Sequence, residues 1–249
     1  MSANVTVRSD GRGAEVVLGS GGSANALGHE DWRALELAFR NLPNDVRVVV
    51  VRGSGSTFSA GSDLREWVHA APDDVDRAFA AMEAACTAIE ECPTPVIAQV
   101  NGVAAGAGCQ LALACDLRVF ADDARIGMPI ARLGILVSPA FAARLALLAG
   151  HGLARELLYT GRLLTAAEAV AAGLANRRVP SSELAAATAE LVAAVAAQPR
   201  AALVAAKQAV SVGLSPTRAA ADSFASGPAV SYEDFQRGVT AFLSRSRHP

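Results

Sequence analysis

Residues 95–120 read PVIAQVNGVAAGAGCQLALACDLRVF, and the fold follows from how this stretch divides. Val96–Val100 is an apolar run of strand length that ends at the turn signal Asn101-Gly102. The glycine–alanine loop at 105–108 then turns into an apolar segment that reads as a helix. Leu117 to Phe120 is a strand again. Strand, glycine-rich turn, helix and strand together indicate an α/β core, in which sites collect where strands feed helices.

The same alternation continues outward. Val46 to Arg52, VRVVVVR, is a buried-type strand that empties into the glycine-rich GSGSTFSAGSD of residues 53–63. A helix is expected from Asp73 to Glu91, stopped by Pro93-Thr94-Pro95. His29 to Arg40 carries Trp32, Leu35, Leu37 and Phe39 among charges and reads as an amphipathic helix. Residues 5–19, VTVRSDGRGAEVVLG, are two alternating runs about Asp10-Gly11, a hairpin pattern.

From about Ser138 onward the pattern is almost wholly helical and alanine-rich. Pro180-Ser181-Ser182-Glu183 marks a turn and helix start, and Gln198-Pro199, Ser215-Pro216 and Gly227-Pro228 punctuate the rest of the chain. The expected organisation is a core over residues 1–190 and a helical C-terminal region over 191–249.

Composition narrows the function. With 52% hydrophobic residues, 18% charged residues and a net charge of −2, the chain offers no electrostatic argument for nucleic acid or an anionic membrane. Lys207 is the single lysine, which excludes a phosphate loop ending in Gly-Lys-Ser/Thr and disfavours Schiff-base chemistry. Cys86, Cys92, Cys109 and Cys115 form no CxxC pair and lie in apolar stretches, as buried reduced thiols do. No metal site is expected. Neither a signal-peptide pattern nor an apolar run of about 18 residues is present, so the expectation is a cytoplasmic protein.

The two glycine-rich turns exclude some chemistry and permit other. Gly53–Phe58 follows a strand, but a dinucleotide fingerprint needs a small residue where Phe58 stands. A GxSxG elbow fails at Thr57, and His29, His69, His151 and His248 offer no evident base. Ser59-Ala60-Gly61 and Gly106-Ala107-Gly108 could instead bring the N–H groups of Ala60 and Ala107 close to a ligand. Ala107 would lie near a helix N-terminus, whose dipole favours negative charge. Two donors converging on one oxygen form an oxyanion hole. Both segments are equally readable as plain tight turns.

In order along the chain, several motifs resemble the crotonase, or enoyl-CoA hydratase/isomerase, family. They are Asn25-Ala26-Leu27, the run FSAGSDL at 58–64, PVIAQVNG at 95–102, AGAGCQLALACDLR at 105–118, LLYTGR at 157–162, AAEA at 166–169, AGL at 172–174 and EDFQRGVTAFL at 233–243. The resemblance implies an α/β spiral of ββα units with a C-terminal helical trimerisation region, assembled as a homotrimer or hexamer. It also implies an acyl-CoA thioester as substrate, with no further cofactor. The thioester oxygen would lie between the N–H groups of Ala60 and Ala107. Ala26, Ala60, Ser62, Asp63 and Leu64 would line the coenzyme A site. Ala24 departs from the pattern, because many family members carry a basic residue there.

The chemical end departs further. Hydratases of the family use two carboxylates, at positions that here carry Gln110 and Ile130. Neither residue exchanges a proton at neutral pH, so ordinary enoyl-CoA hydration is not expected. The alternative is a degenerate acyl-CoA-binding protein. Candidate replacement acid–base groups are Glu83, Ser138, His69, Tyr232 and Glu233. Each has a plainer explanation: a solvated helix glutamate, an N-cap before Pro139, a surface histidine, and a helix start at Ser231. Asp63, Asp116 and Glu156 are expected to satisfy backbone donors or a helix face.

Overall fold

The computed structural model describes residues 4–9, 13–19, 23–223 and 228–245. A hairpin of β1 (Val5–Ser9) and β2 (Gly13–Leu18) opens the chain, and its Asp10-Gly11 turn lies outside the described residues. α1 (His29–Arg40) follows, burying Trp32, Leu35 and Phe39, while Leu37 stays exposed. Then come β3 (Val48–Gly53), α2 (Pro72–Glu91), β4 (Val96–Val100), β5 (Val103–Ala105), α3 (Ala107–Ala114), β6 (Leu117–Ala121) and β7 (Arg125–Gly127). The remaining elements are α4 (Pro139–Thr160, interrupted at Gly150), β8 (Leu163–Thr165), α5 (Ala166–Ala171), β9 (Arg177–Val179), α6 (Leu184–Ala196), α7 (Arg200–Ser223) and α8 (Tyr232–Arg245).

Two sheets organise these elements. The larger has the order β1-β2-β3-β4-β6-β9, parallel throughout except for the hairpin, and the smaller has the order β5-β7-β8. Successive turns of chain place one strand in each sheet and then a helix. β4, β5 and α3 make one turn, and β6, β7 and α4 the next. Single-residue bridges extend the second sheet to earlier turns, with Leu27 pairing Ser62 and Ser59 pairing Ala104. This is the expected ββα spiral.

Hydrophobic pattern explains the layering. β3 and β4 are buried almost without alternation, as parallel strands covered on both faces must be. α6 packs on β3, β4 and β6. The 190/191 boundary expected between core and C-terminal region therefore falls inside a helix that packs on the main sheet. The largest fully buried side chains include Trp32, Phe58, Phe120 and Phe141. Phe58, which argued against a dinucleotide loop, is a core residue.

The stretch after Ser138 is almost wholly helical, as expected, and β8 and β9 add three-residue strands to the two sheets. The structure corrects one expectation: Ser215-Pro216 does not end a helix, because α7 runs through it. The Gln198-Pro199 break does separate α6 from α7.

Polar side chains tie neighbouring turns of the spiral together. Asp116 accepts hydrogen bonds from the Val96 N–H and from Lys207, both at 2.8 Å, and Lys207 also reaches the carbonyls of Ile89 and Thr94. The single lysine is thus a structural tie between α7 and the β4 entry. Burial pushes the thiols of Cys109 and Cys115 up to about 12 and raises Cys86 and Cys92 as well, so all four are inert.

Candidate active site

A cavity of about 800 Å³ opens where β5, α2 and α3 meet the C-terminal helix α8. Its walls include Ala60, Ala107, Gln110 and Ile130 together with Ala26, Ser62, Asp63 and Leu64. All eight are residues the sequence nominated. Glu83 is not on the wall, but it contacts Ser138, which is.

Tight backbone turns build one end of the cavity. The Ala105 N–H donates to Ser59 O and the Ser59 N–H to Val103 O, pressing the two glycine turns together. Gly61 has φ +99°, and a Cβ there would stand 2.7 Å from Ala107 N and 2.8 Å from Ala105 O. Only glycine permits that approach. Gly106, at φ +56° and ψ −124°, reverses the chain into α3 and leaves Ala107 as the first helical residue. Among the described residues the Ala107 N–H donates to no other group, as expected in the first turn of a helix.

The Ala60 N–H is arranged differently. It donates to the carbonyl oxygen of Ala24 at 2.9 Å. Ala24 and Asn25 are the non-glycine residues with positive φ among those described, at 51° and 54°. The Asn25 side chain fixes this conformation by donating to the carbonyls of Ser54 (2.9 Å) and Thr57 (2.6 Å), and the Ser59 hydroxyl donates to Asn25 O (2.9 Å). The Ala24 carbonyl oxygen therefore already occupies the Ala60 N–H. No sequence signal marks this, because alanine has no preference for a left-handed backbone.

Charge at the rim is paired. Asp63 caps the short 3₁₀ turn Leu64–Trp67 by accepting from Arg65 N at 3.0 Å, and it forms an ion pair with the Arg65 guanidinium at 2.6 Å. The guanidinium beside it holds the Asp63 carboxyl below the usual carboxylate range. Arg65 and Arg132 are the two cations on the cavity wall.

The other end is mostly apolar. Trp67, Phe79, Met82, Met128, Ile135 and Val137 line it. Gln110 is 4% exposed, and its side-chain oxygen has no hydrogen-bond partner among the described residues. Ile130 is 8% exposed.

α8 closes this end within the same chain. Trp67 stacks on Phe79 at 5.2 Å between ring centroids and packs against Phe235 at 5.6 Å. The Tyr232 hydroxyl donates to Ala70 O, and Ser231 precedes α8 as expected. Tyr232, Glu233 and His69 are exposed, and none of them lines the cavity.

Ser138 caps α4 by accepting from Phe141 N at 3.2 Å, with Pro139 as the first helical residue. Its hydroxyl donates to Glu83 at 2.6 Å. Sequence reasoning treats the two residues separately and misses that they meet. On the same two helices Glu90 and Arg144 form a part-buried ion pair at 2.5 Å.

A β-α spiral with a helix N-terminus and a glycine turn facing one cavity defines a class of protein, and comparison with known chains says which. The enoyl-CoA hydratase/isomerase family profile matches residues 14–249. A short-chain-enoyl-CoA hydratase of Clostridium acetobutylicum is 31% identical over 98% of this chain and 96% of its own. A crotonyl-CoA hydratase of Syntrophomonas wolfei is 30% identical over 98% and 96%. A solved Thermobifida fusca structure in complex with CoA matches with TM-score 0.79 and 31% identity, covering 99% of this chain and 95% of that one. The chain belongs to the enoyl-CoA hydratase/isomerase, or crotonase, family.

Proposed function

We propose that this chain acts on an acyl-CoA thioester, holding the thioester oxygen with the N–H groups of Ala107 and Ala60. The observation that carries the reading is the bond-free Ala107 N–H at the start of α3, facing a cavity that Ala60 also lines. Negative charge grows on the thioester oxygen as an enolate forms. Donors aimed at that oxygen, and the positive end of α3, stabilise the transition state more than the substrate. Arg65, ion-paired with Asp63, offers its guanidinium at the rim as a hydrogen-bond donor to a polar group of the coenzyme. The matched structure that contains CoA supports the same ligand.

Water addition of the ordinary kind is not the reaction we assign. Gln110 can orient a water molecule but cannot take its proton, and Ile130 offers only hydrocarbon. A second reading, binding of acyl-CoA without turnover, is favoured by the Ala24 carbonyl on the Ala60 donor. Assembly into trimers or pairs of trimers, and a cytoplasmic location, complete the proposal.

One experiment separates the readings. Enoyl-, β-hydroxyacyl- and β-ketoacyl-CoA thioesters are offered to the purified protein, with binding and turnover measured together. We expect binding of the panel and turnover of at least one thioester. Tight binding with no turnover would overturn the enzyme and leave the binding protein, and no binding at all would overturn both.

A further inference from the structure

The rim of the cavity depends on a contact made outside it. Ser62, Asp63, Leu64 and Arg65 line the wall, with Ala26 beside them. The two segments run parallel, the Leu27 N–H donating to Gly61 O at 2.8 Å and the Asp63 N–H to Leu27 O at 2.9 Å. That backbone pairing ends at Asp63. Leu64–Trp67 is a four-residue 3₁₀ turn, and so short a helix is held by its surroundings rather than by its own hydrogen bonds. α8 holds its far end, where Gln236 donates to Trp67 O at 3.2 Å.

Glu66 ties the turn down on the other side. It stands between the wall residues Arg65 and Trp67 without lining the cavity itself, and its Oε2 accepts from the His29 N–H at the start of α1, at 2.9 Å. α1 needs such an acceptor, because its N-cap is Gly28, which has no side chain to take a first-turn N–H. Asp31 takes the Gly28 N–H at 2.8 Å, and the positive end of α1 favours a carboxylate at His29. Gly28 has φ −80° and ψ 176°, a conformation open to any residue, so its backbone does not call for glycine. Space does, since a Cβ at position 28 would stand 2.1 Å from Glu66 Oε1. A bare Cα at 28 and a carboxylate at 66 are two halves of one contact.

Resting on the thioester reading above, we propose that Glu66 is a positioning residue for acyl-CoA binding: docked on the N-terminus of α1, it holds Leu64 and Arg65 at the cavity wall. Glu66 touches no part of the ligand and acts through the backbone of the turn that carries it. Gly28 is the complementary requirement on α1.

The test measures butyryl-CoA affinity by calorimetry, well below the unfolding temperature, for the wild type, Glu66→Ala, Glu66→Gln, Gly28→Ala and the double variant Glu66→Ala with Gly28→Ala. Loss of one helix cap corresponds to about tenfold in an equilibrium constant, so Glu66→Ala should weaken binding by up to about that factor. Gly28→Ala should do the same, because its methyl group displaces the end of the flexible Glu66 side chain rather than the backbone. Glu66→Gln still accepts from His29 and should recover part of the affinity. With Glu66 already removed, Gly28→Ala should cost nothing more, the non-additivity of two changes to one contact. Variants that melt earlier yet bind butyryl-CoA as the wild type does would show a merely structural cap and overturn the positioning role alone. Losses that add in the double variant overturn it too. Failure of the wild type to bind butyryl-CoA overturns the thioester reading, and the positioning role falls with it.

Discussion

The two ends of the cavity are built from different material. At the proposed thioester end the candidate groups are backbone N–H groups, set by Gly61 and Gly106 and by the start of α3. At the proposed acyl end the candidate groups are side chains, and Gln110 and Ile130 line the cavity at the positions that the sequence resemblance assigns to the hydratases' carboxylates. A backbone donor survives any substitution that keeps the turn, whereas a side-chain acid is lost in one. On the proposed reading, the difference teaches that binding and chemistry can separate in this fold.

The sharpest way to break that contrast is to restore the acyl end. Gln110→Glu together with Ile130→Glu should raise hydration of crotonyl-CoA by about 10⁴-fold or more, because each general acid–base group contributes about 10²–10⁴ and the pair acts as a unit. Either single substitution should do little. The assay follows loss of the enoyl absorbance, with circular dichroism and coenzyme A binding as controls. A folded, binding, inert double variant would show that these positions do not face the thioester.

A smaller effect probes the thioester end. Ala24 holds its carbonyl on the Ala60 N–H only by adopting a left-handed backbone, which costs an alanine roughly 1–2 kcal/mol. Ala24→Gly relieves that cost and favours the occupied state. Acyl-CoA affinity measured by calorimetry should then fall about fivefold, since 1.4 kcal/mol corresponds to about tenfold. An unchanged affinity would mean that the Ala24 carbonyl and the thioester do not compete.

Much of this architecture is legible in the sequence, for a physical reason. α1, α2, β4 and the hairpin have long, strongly periodic or sharply bounded patterns, and the structure places them at or within a residue or so of their expected limits. The three-residue strands β5, β7, β8 and β9 carry no period of their own and exist because neighbouring turns of the spiral pair with them. Pro216 sits inside α7 despite its character as a breaker.

At the site, motif order alone points to Ala60, Ala107, Gln110 and Ile130, because backbone function leaves glycines behind as a trace. The Ala24 carbonyl, the Ser138–Glu83 contact and the Lys207 tie to Asp116 are not legible. Each joins residues far apart in sequence, with no spacing rule to announce the meeting.

The central claim is that the Ala107 N–H, joined by Ala60, takes the thioester oxygen, and the carbonyl stretch of a bound thioester reports this directly. Butyryl-CoA labelled with ¹³C at the thioester carbonyl is bound to the wild type and to Ala107→Pro, and isotope-edited infrared spectra are compared. Proline is tolerated at a first helical position, so the variant removes the donor with α3 retained. The account predicts a carbonyl band at lower frequency on the wild type than in water, and a return toward the aqueous value in the variant. A bound thioester whose band is the same in water, wild type and variant would contradict it.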